Sequence, residues 1–143
     1  MILDAQNLFS DAQALTSTAA STNLIDLSVA REIGNGNRVD LVLNVDTALT
    51  DSGSDSTVTV TLETDDNASF SSATTAATMF TIAATAAAGT EYRYRFPSDL
   101  SLERYIRVKY TMVDGDLSTG AVTCALVLDA QDQKIYADGF AIS

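Results

Sequence analysis

The tightest constraint on this chain is a period of two. In Thr57-Val58-Thr59-Val60-Thr61-Leu62-Glu63-Thr64, Val58, Val60 and Leu62 fall on one side and Thr or Glu on the other. Successive side chains of an extended strand point to opposite faces, so this run specifies a strand with one dry and one wet face. β-Branched Thr suits the wet face of a pleated sheet. Val39, Leu41, Leu43 and Val45 repeat the pattern, with Asp40, Asn44 and Asp46 opposite. Between the two runs, Asp51-Ser52-Gly53-Ser54-Asp55 has the composition of a turn.

Further along, Glu91 to Phe96 alternates charge with aromatic rings until Pro97 ends it. Tyr105 to Met112 alternates again, with Ile106, Val108, Tyr110 and Met112 directed inward. Asp114-Gly115 then turns the chain into Ala121 to Leu128, the pattern of a hairpin with a connection longer than two residues. Asn23 to Leu27 and Met79 to Ile82 are weaker strands, and Ile135 to Ile142 offers a last one. Asp11 to Ala20 fits a short helix by its Ala, Gln and Leu but a loop by Thr16, Ser17 and Thr18; Ala83 to Gly89 reads as a loose Ala-rich connection. About eight short strands without helical crossovers predict an all-β, antiparallel β-sandwich.

At 143 residues and 15.1 kDa the chain fits one domain, residues 1–143, with residues 1–22 as a candidate extended N-terminal arm. A net charge of -11, with a pI near 4.1, argues against nucleic acid and anionic membrane as partners. No run approaches the roughly 20 apolar residues needed to span a bilayer. The first residues lack the basic and apolar regions of a secretory signal, so we expect a protein made and used without crossing a membrane.

The residue inventory narrows the chemistry. With no His, neither a Ser-His-Asp nor a Cys-His arrangement exists, and Cys124, alone, reads as a small buried hydrophobe. Zinc would have only that thiol and carboxylates, a poor ligand set. Gly34-Asn35-Gly36-Asn37 lacks the Lys and following helix of a phosphate loop and reads as a turn. Two carboxylate pairs, Asp65-Asp66 and Asp114/Asp116, are the remaining candidates for glycoside hydrolysis, but both sit where Asp caps its own backbone. Asp51, Ser52, Ser54 and Asp55 could offer oxygens to a calcium ion, although the order of an EF-hand loop is absent and a solvated turn is the simpler reading. The expectation is no enzyme, no cofactor and no metal.

Positive charge is more informative. Five of the eight basic residues, Arg93, Arg95, Arg104, Arg107 and Lys109, fall between positions 93 and 109. Arg93 and Arg95 share one face of their strand, and Arg107 and Lys109 share one face of theirs. Were the strands neighbours, these four would form a cationic stripe suited to an acidic protein surface; the simpler alternative is charges paired with local Asp and Glu.

Several segments resemble the capsid cement (decoration) proteins of short-tailed bacteriophages. These are Leu8 to Leu15, Val60 to Phe70, Glu103 to Thr111, Ala125 to Asp129 and the Tyr136-Ala137-Asp138-Gly139-Phe140 ending. The resemblance spans nearly the whole chain and rests on the order and spacing of the segments, none of which is a catalytic signature. It implies a jelly-roll-like sandwich on the outer surface of a capsid, tying neighbouring major capsid protein subunits together in many self-associating copies, as dimers or trimers. It supplies no catalytic residues. The candidate contact residues are Arg93, Arg95, Arg107 and Lys109, with Leu8 and Phe9 of the N-terminal segment. An arm pairing with a neighbour would bury Leu8 and Phe9; equally, they could fill their own sandwich. A rival reading is a tail-associated or receptor carbohydrate-binding module, which would need solvent-facing Tyr; Tyr92, Tyr94 and Tyr110 alternate inward instead.

Overall fold

The computed structural model describes residues 3–33, 36 and 38–128. The proposed last strand in Ile135 to Ile142, and the turn residues Gly34, Asn35 and Asn37, lie outside the described residues. The strands are β1 (Leu8–Ala14), β2 (Ala19–Ala20), β3 (Ile25–Asp26), β4 (Val39–Thr50), β5 (Thr57–Asp65), β6 (Thr74–Ala83), β7 (Glu91–Arg95), β8 (Tyr105–Val113) and β9 (Thr119–Leu128). One antiparallel sheet runs β1-β9-β4-β7 and the other β2-β8-β5-β6, with β3 also paired to β8. The chain is an all-β, two-sheet antiparallel sandwich.

Setting β3 aside, β1 pairs with β9, β2 with β8, β4 with β7 and β5 with β6, and the further pairs β4 with β9 and β5 with β8 join these into the two sheets. That is the pairing of one long antiparallel ribbon folded over itself, the jelly-roll arrangement. Its consequence is that consecutive strands often belong to different sheets. The Asp114-Gly115 turn therefore does not close a hairpin: β8 lies in one sheet and β9 in the other. Asp114 takes φ 65° and Gly115 φ 131°, left-handed conformations that reverse the chain between layers.

The core forms where the dry faces meet. Leu41, Leu43 and Val45 of β4, with Val122 and Cys124 of β9, oppose Val58, Val60 and Leu62 of β5 and Ile106, Val108 and Tyr110 of β8. All are fully buried. The Tyr110 hydroxyl shares a 2.7 Å hydrogen bond with the Ser10 hydroxyl, so its polar end is satisfied. Burial is also the main reason that the Tyr110 phenol is raised well above its ordinary pKa and the Cys124 thiol is pushed up to about 12.

The N-terminal region departs from expectation. Asp11 to Ala20 forms no helix, and within the candidate arm Leu8–Ala14 pairs with β9 of the same chain, from Leu8 opposite Ala125 to Ala14 opposite Ala121. Phe9 is fully buried in the core and Leu8 is half-buried. The Ser and Thr residues that argue for a loop do local work on β8. Thr18 Oγ1 accepts from the Met112 N–H at 2.9 Å and Ser21 Oγ from the Val108 N–H at 3.1 Å. Side-chain oxygens thus stand in for ladder partners where β2 and β3 span two residues each. Apart from Ala83, which ends β6, the stretch to Gly89 is a connection, as its composition predicts, and Ala84 and Ala86 are buried in it.

Candidate functional site

The four cations of the predicted stripe do not come together. Arg93 and Arg95 are on β7 at the edge of one sheet, whereas Arg107 and Lys109 are on β8 inside the other. Tyr92 and Tyr94 pack on the core, as do Ile106, Val108 and Tyr110. Alternation then turns each cation pair away from the core, on the outer faces of opposite layers. Two separate sites replace the stripe.

On the β5/β8 face the register sets Glu63 opposite Arg107 and Thr61 opposite Lys109. Arg107 reaches Glu63 Oε2 from both Nε and Nη2 at 2.7 Å, and Lys109 Nζ lies 3.4 Å from Glu63 Oε1. One carboxylate, 6% exposed, therefore holds two cations. The Phe70 ring packs on the other side of the guanidinium, 4.2 Å from Arg107 Cζ. Phe70 is delivered by the β5–β6 turn at φ 52°. Asp65 pins that turn: its carboxylate accepts from the Asn67 and Ser72 N–H groups at 3.0 and 2.8 Å and from the Ser72 hydroxyl at 3.1 Å. Burial pushes the Asp65 pKa up, but these donors outweigh it and the net shift is downward. Around the cluster the same face carries Thr57, Thr59, Thr61 and Thr111, with Thr75, Thr78 and Thr81 of β6 beside them. The result is a hydroxyl-lined surface with one excess positive charge, held by Glu63.

On the β4/β7 face the cations are looser. Arg95 Nε is 3.4 Å from Asp40 Oδ1, and Arg38 Nε is 3.4 Å from the other oxygen. Their side chains are 59% and 51% exposed. Asp40, expected on a wet face, is buried beneath them. Arg93 pairs with Glu91 on its own strand. The fifth cation, Arg104, holds Asp26 through two hydrogen bonds of 2.9 Å, Nε to Oδ1 and Nη2 to Oδ2.

The other candidates are structural in their contacts. Asp51 accepts from the Ser56 hydroxyl at 2.8 Å, which is the main reason its carboxyl sits below the usual range. It closes its own turn, and among the described residues no group of three His, Cys, Asp or Glu is placed to hold a metal ion. Asp65 anchors the Phe70 turn. Asp114 is exposed, and its carbonyl accepts from Ser56. Among the described residues the tyrosine rings have close neighbours: Tyr110 is buried, Tyr92 stacks on Phe80 at 5.3 Å, Tyr94 meets Phe96 edge-on at 5.9 Å and the Arg104 guanidinium lies 4.9 Å from the Tyr105 ring. No helix among the described residues is long and apolar enough to cross a membrane.

Residues 9–126 match the family model Bbp16. The chain belongs to the Bbp16 family. The Bbp16 match begins in β1 and ends in β9, so it takes in nearly all of the jelly roll and the Glu63, Phe70, Arg107 and Lys109 cluster. No curated protein matches the chain. Of this cluster the sequence singles out Arg107 and Lys109 as candidate contact residues, and Glu63 and Phe70 join them only in the structure. Glu63 had a signal, since it sits outward in the Thr57 run; its partner lies 44 positions away and becomes visible only with the strand register.

Proposed function

We propose that this chain is a structural virion protein that binds the outer surface of a tailed-phage capsid and stabilises the shell by bridging neighbouring major capsid subunits. The Bbp16 family name fits a phage protein, and the segment resemblance points to a cement role. The observation that carries the reading is the β5/β8 face, where Glu63 holds Arg107 and Lys109, and Phe70 packs on Arg107, on a threonine-rich surface of a chain with net charge -11. Rigid, pre-placed cations lose little freedom on docking and set register against an acidic surface. Arg93 and Arg95 face the other way, so they would contact a different neighbour or none. A protein that binds the assembled shell and not its unfolded subunits raises shell stability by mass action, and many repeated weak contacts add through avidity.

The test uses purified shells lacking the protein. Lys109→Glu and Arg107→Gln, each first checked for an unchanged circular dichroism spectrum, should lower occupancy on the shells, and added salt should lower wild-type occupancy in parallel. Occupancy equal to wild type in both variants at low salt would remove the electrostatic basis of the proposal. A copy number near that of the major shell protein fits cement, whereas a dozen or fewer copies per particle fits a tail or neck position.

A further inference from the structure

The two ends of the sandwich are finished differently. Antiparallel pairing sets Thr50 of β4 opposite Thr119 of β9 at one end and Val39 opposite Leu128 at the other. At the first end the Ala-rich connection after β6 folds back over the core. The Leu49 N–H donates to the Ala86 carbonyl at 3.0 Å, and Ala84 and Ala86 are buried along with Leu49. At the second end an apolar cavity of about 220 Å³ opens between the layers. Its lining is mainly Ile25 of β3 and Leu27 just after it, Val39, Leu126 and Leu128 of the β4/β9 sheet, and Ile33 of the β3–β4 connection. Ile25, Leu27, Ile33, Val39 and Leu126 pack against the core yet keep part of their surface in water, and Leu128 is 69% exposed. Single apolar residues on a surface are ordinary, but an apolar opening continuous with the core marks a contact site.

We infer that residues 135–142 of the same chain seat in this opening and complete the core. The segment reads Ile135-Tyr136-Ala137-Asp138-Gly139-Phe140-Ala141-Ile142, with four large apolar or aromatic side chains in eight positions. The chain runs to it from the cavity wall itself. Leu128 is part of the lining, and only residues 129–134 intervene, a reach of up to about 25 Å. Apart from Ala130, that link is polar and suits a path through water. A tether this short sets an effective concentration on the order of millimolar, and it spares the translational freedom that a separate partner would lose. The size of the opening agrees. An apolar cavity of about 150 Å³ takes a benzene molecule, so about 220 Å³ takes one aromatic ring, which Tyr136 or Phe140 supplies, with an aliphatic neighbour. This inference does not depend on shell binding, since it concerns the chain's own core.

The experiment uses the full chain and two readouts: amide exchange decides whether the segment seats, and cross-linking decides whose segment it is. Tyr136→Asp with Phe140→Asp should speed exchange over residues 25–27, where the Arg104 carbonyl holds the Leu27 N–H at 2.8 Å. The expected change is about tenfold, with β5 left at the wild-type rate, because exchange reads local opening. Gln131→Asp with Gln133→Asp, which adds the same charge to the link, should exchange as wild type does. Separately, Leu27→Cys with Phe140→Cys, treated with a short bismaleimide, should give a link within one chain by mass; Cys124 is fully buried and does not compete. A link between two chains would assign the opening to a neighbour's segment, and the absence of any link would leave it to a different partner. Either result would overturn the inference, as would exchange over 25–27 that the Tyr136 and Phe140 changes leave at the wild-type rate.

Discussion

Strands β7 and β8 look alike as sequence, each alternating rings or aliphatics with cations, yet their cations live in different circumstances. On β8, which has neighbours on both sides, Arg107 is held by a carboxylate from β5 and a ring from the next turn, and its side chain is 24% exposed. On β7, an edge strand, Arg95 has one longer contact and stands largely in water. Alternation decides which face a residue takes. The strand's place in the sheet decides whether that face supplies partners enough to fix it. Fixed charge is suited to recognition and free charge to solubility, so the difference bears on function as well as stability.

The sharpest way to break the comparison is to remove each central carboxylate. Glu63→Ala strands two half-covered cations on the β8 face and should cost about 2 kcal/mol in urea denaturation, by the logic that breaking a buried pair leaves charge uncompensated. Asp40→Ala leaves Arg38 and Arg95, both more than half exposed, and should cost under about 1 kcal/mol because water replaces the lost partner. Equal costs would mean that edge and interior positions do not differ in how they hold charge.

A smaller effect is expected from trimming the cations themselves. Arg107→Ala loses the ion pair and the packing on Phe70, and should destabilise by about 1–2 kcal/mol, while Arg95→Ala should stay within about 0.5 kcal/mol of wild type. Phe70→Leu sharpens the point: it keeps the ion pair and removes only the ring, so it should cost less than Arg107→Ala in the same denaturation measurement.

What the sequence discloses follows the same division. Val58, Val60 and Leu62, or Ile106, Val108 and Tyr110, are legible as core because period two is a property of the strand alone. The fold class follows from many such strands without crossover helices. Sheet membership is not legible, because an Asp-Gly reversal looks the same whether it closes a hairpin or carries the chain across the sandwich, as Asp114-Gly115 does. Hence the cation faces were readable and their union into one stripe was not. The Thr16 to Ser21 region was hidden for a related reason: its strand character comes from β8 accepting it, through Thr18 and Ser21, and not from its own propensity. Phe9 could belong to an arm or a core until β1 was seen paired with β9.

Arg104 and Asp26 separate geometry from burial, and give the smallest effect. The pair is bidentate at 2.9 Å, yet its side chains are 47% and 41% exposed. The Arg104 hydrogen bonds, helped by the Ser28 N–H, draw the Asp26 carboxyl from 3.8 down to about 2. Because the folded value lies below the unfolded one, whatever stability the pair adds is complete above pH 4 and is lost as pH falls from about 4 to about 2. A carboxyl-carbon NMR titration should place the Asp26 midpoint near 2, and Arg104→Gln should return it toward 3.8. The stability curve should barely register the change at neutral pH, since exposed pairs are screened by water and salt. A wild-type midpoint near 3.8 would mean that good geometry without burial fixes nothing, which would leave the covered side of Arg107, between Glu63 and Phe70, as the whole difference between the two strands.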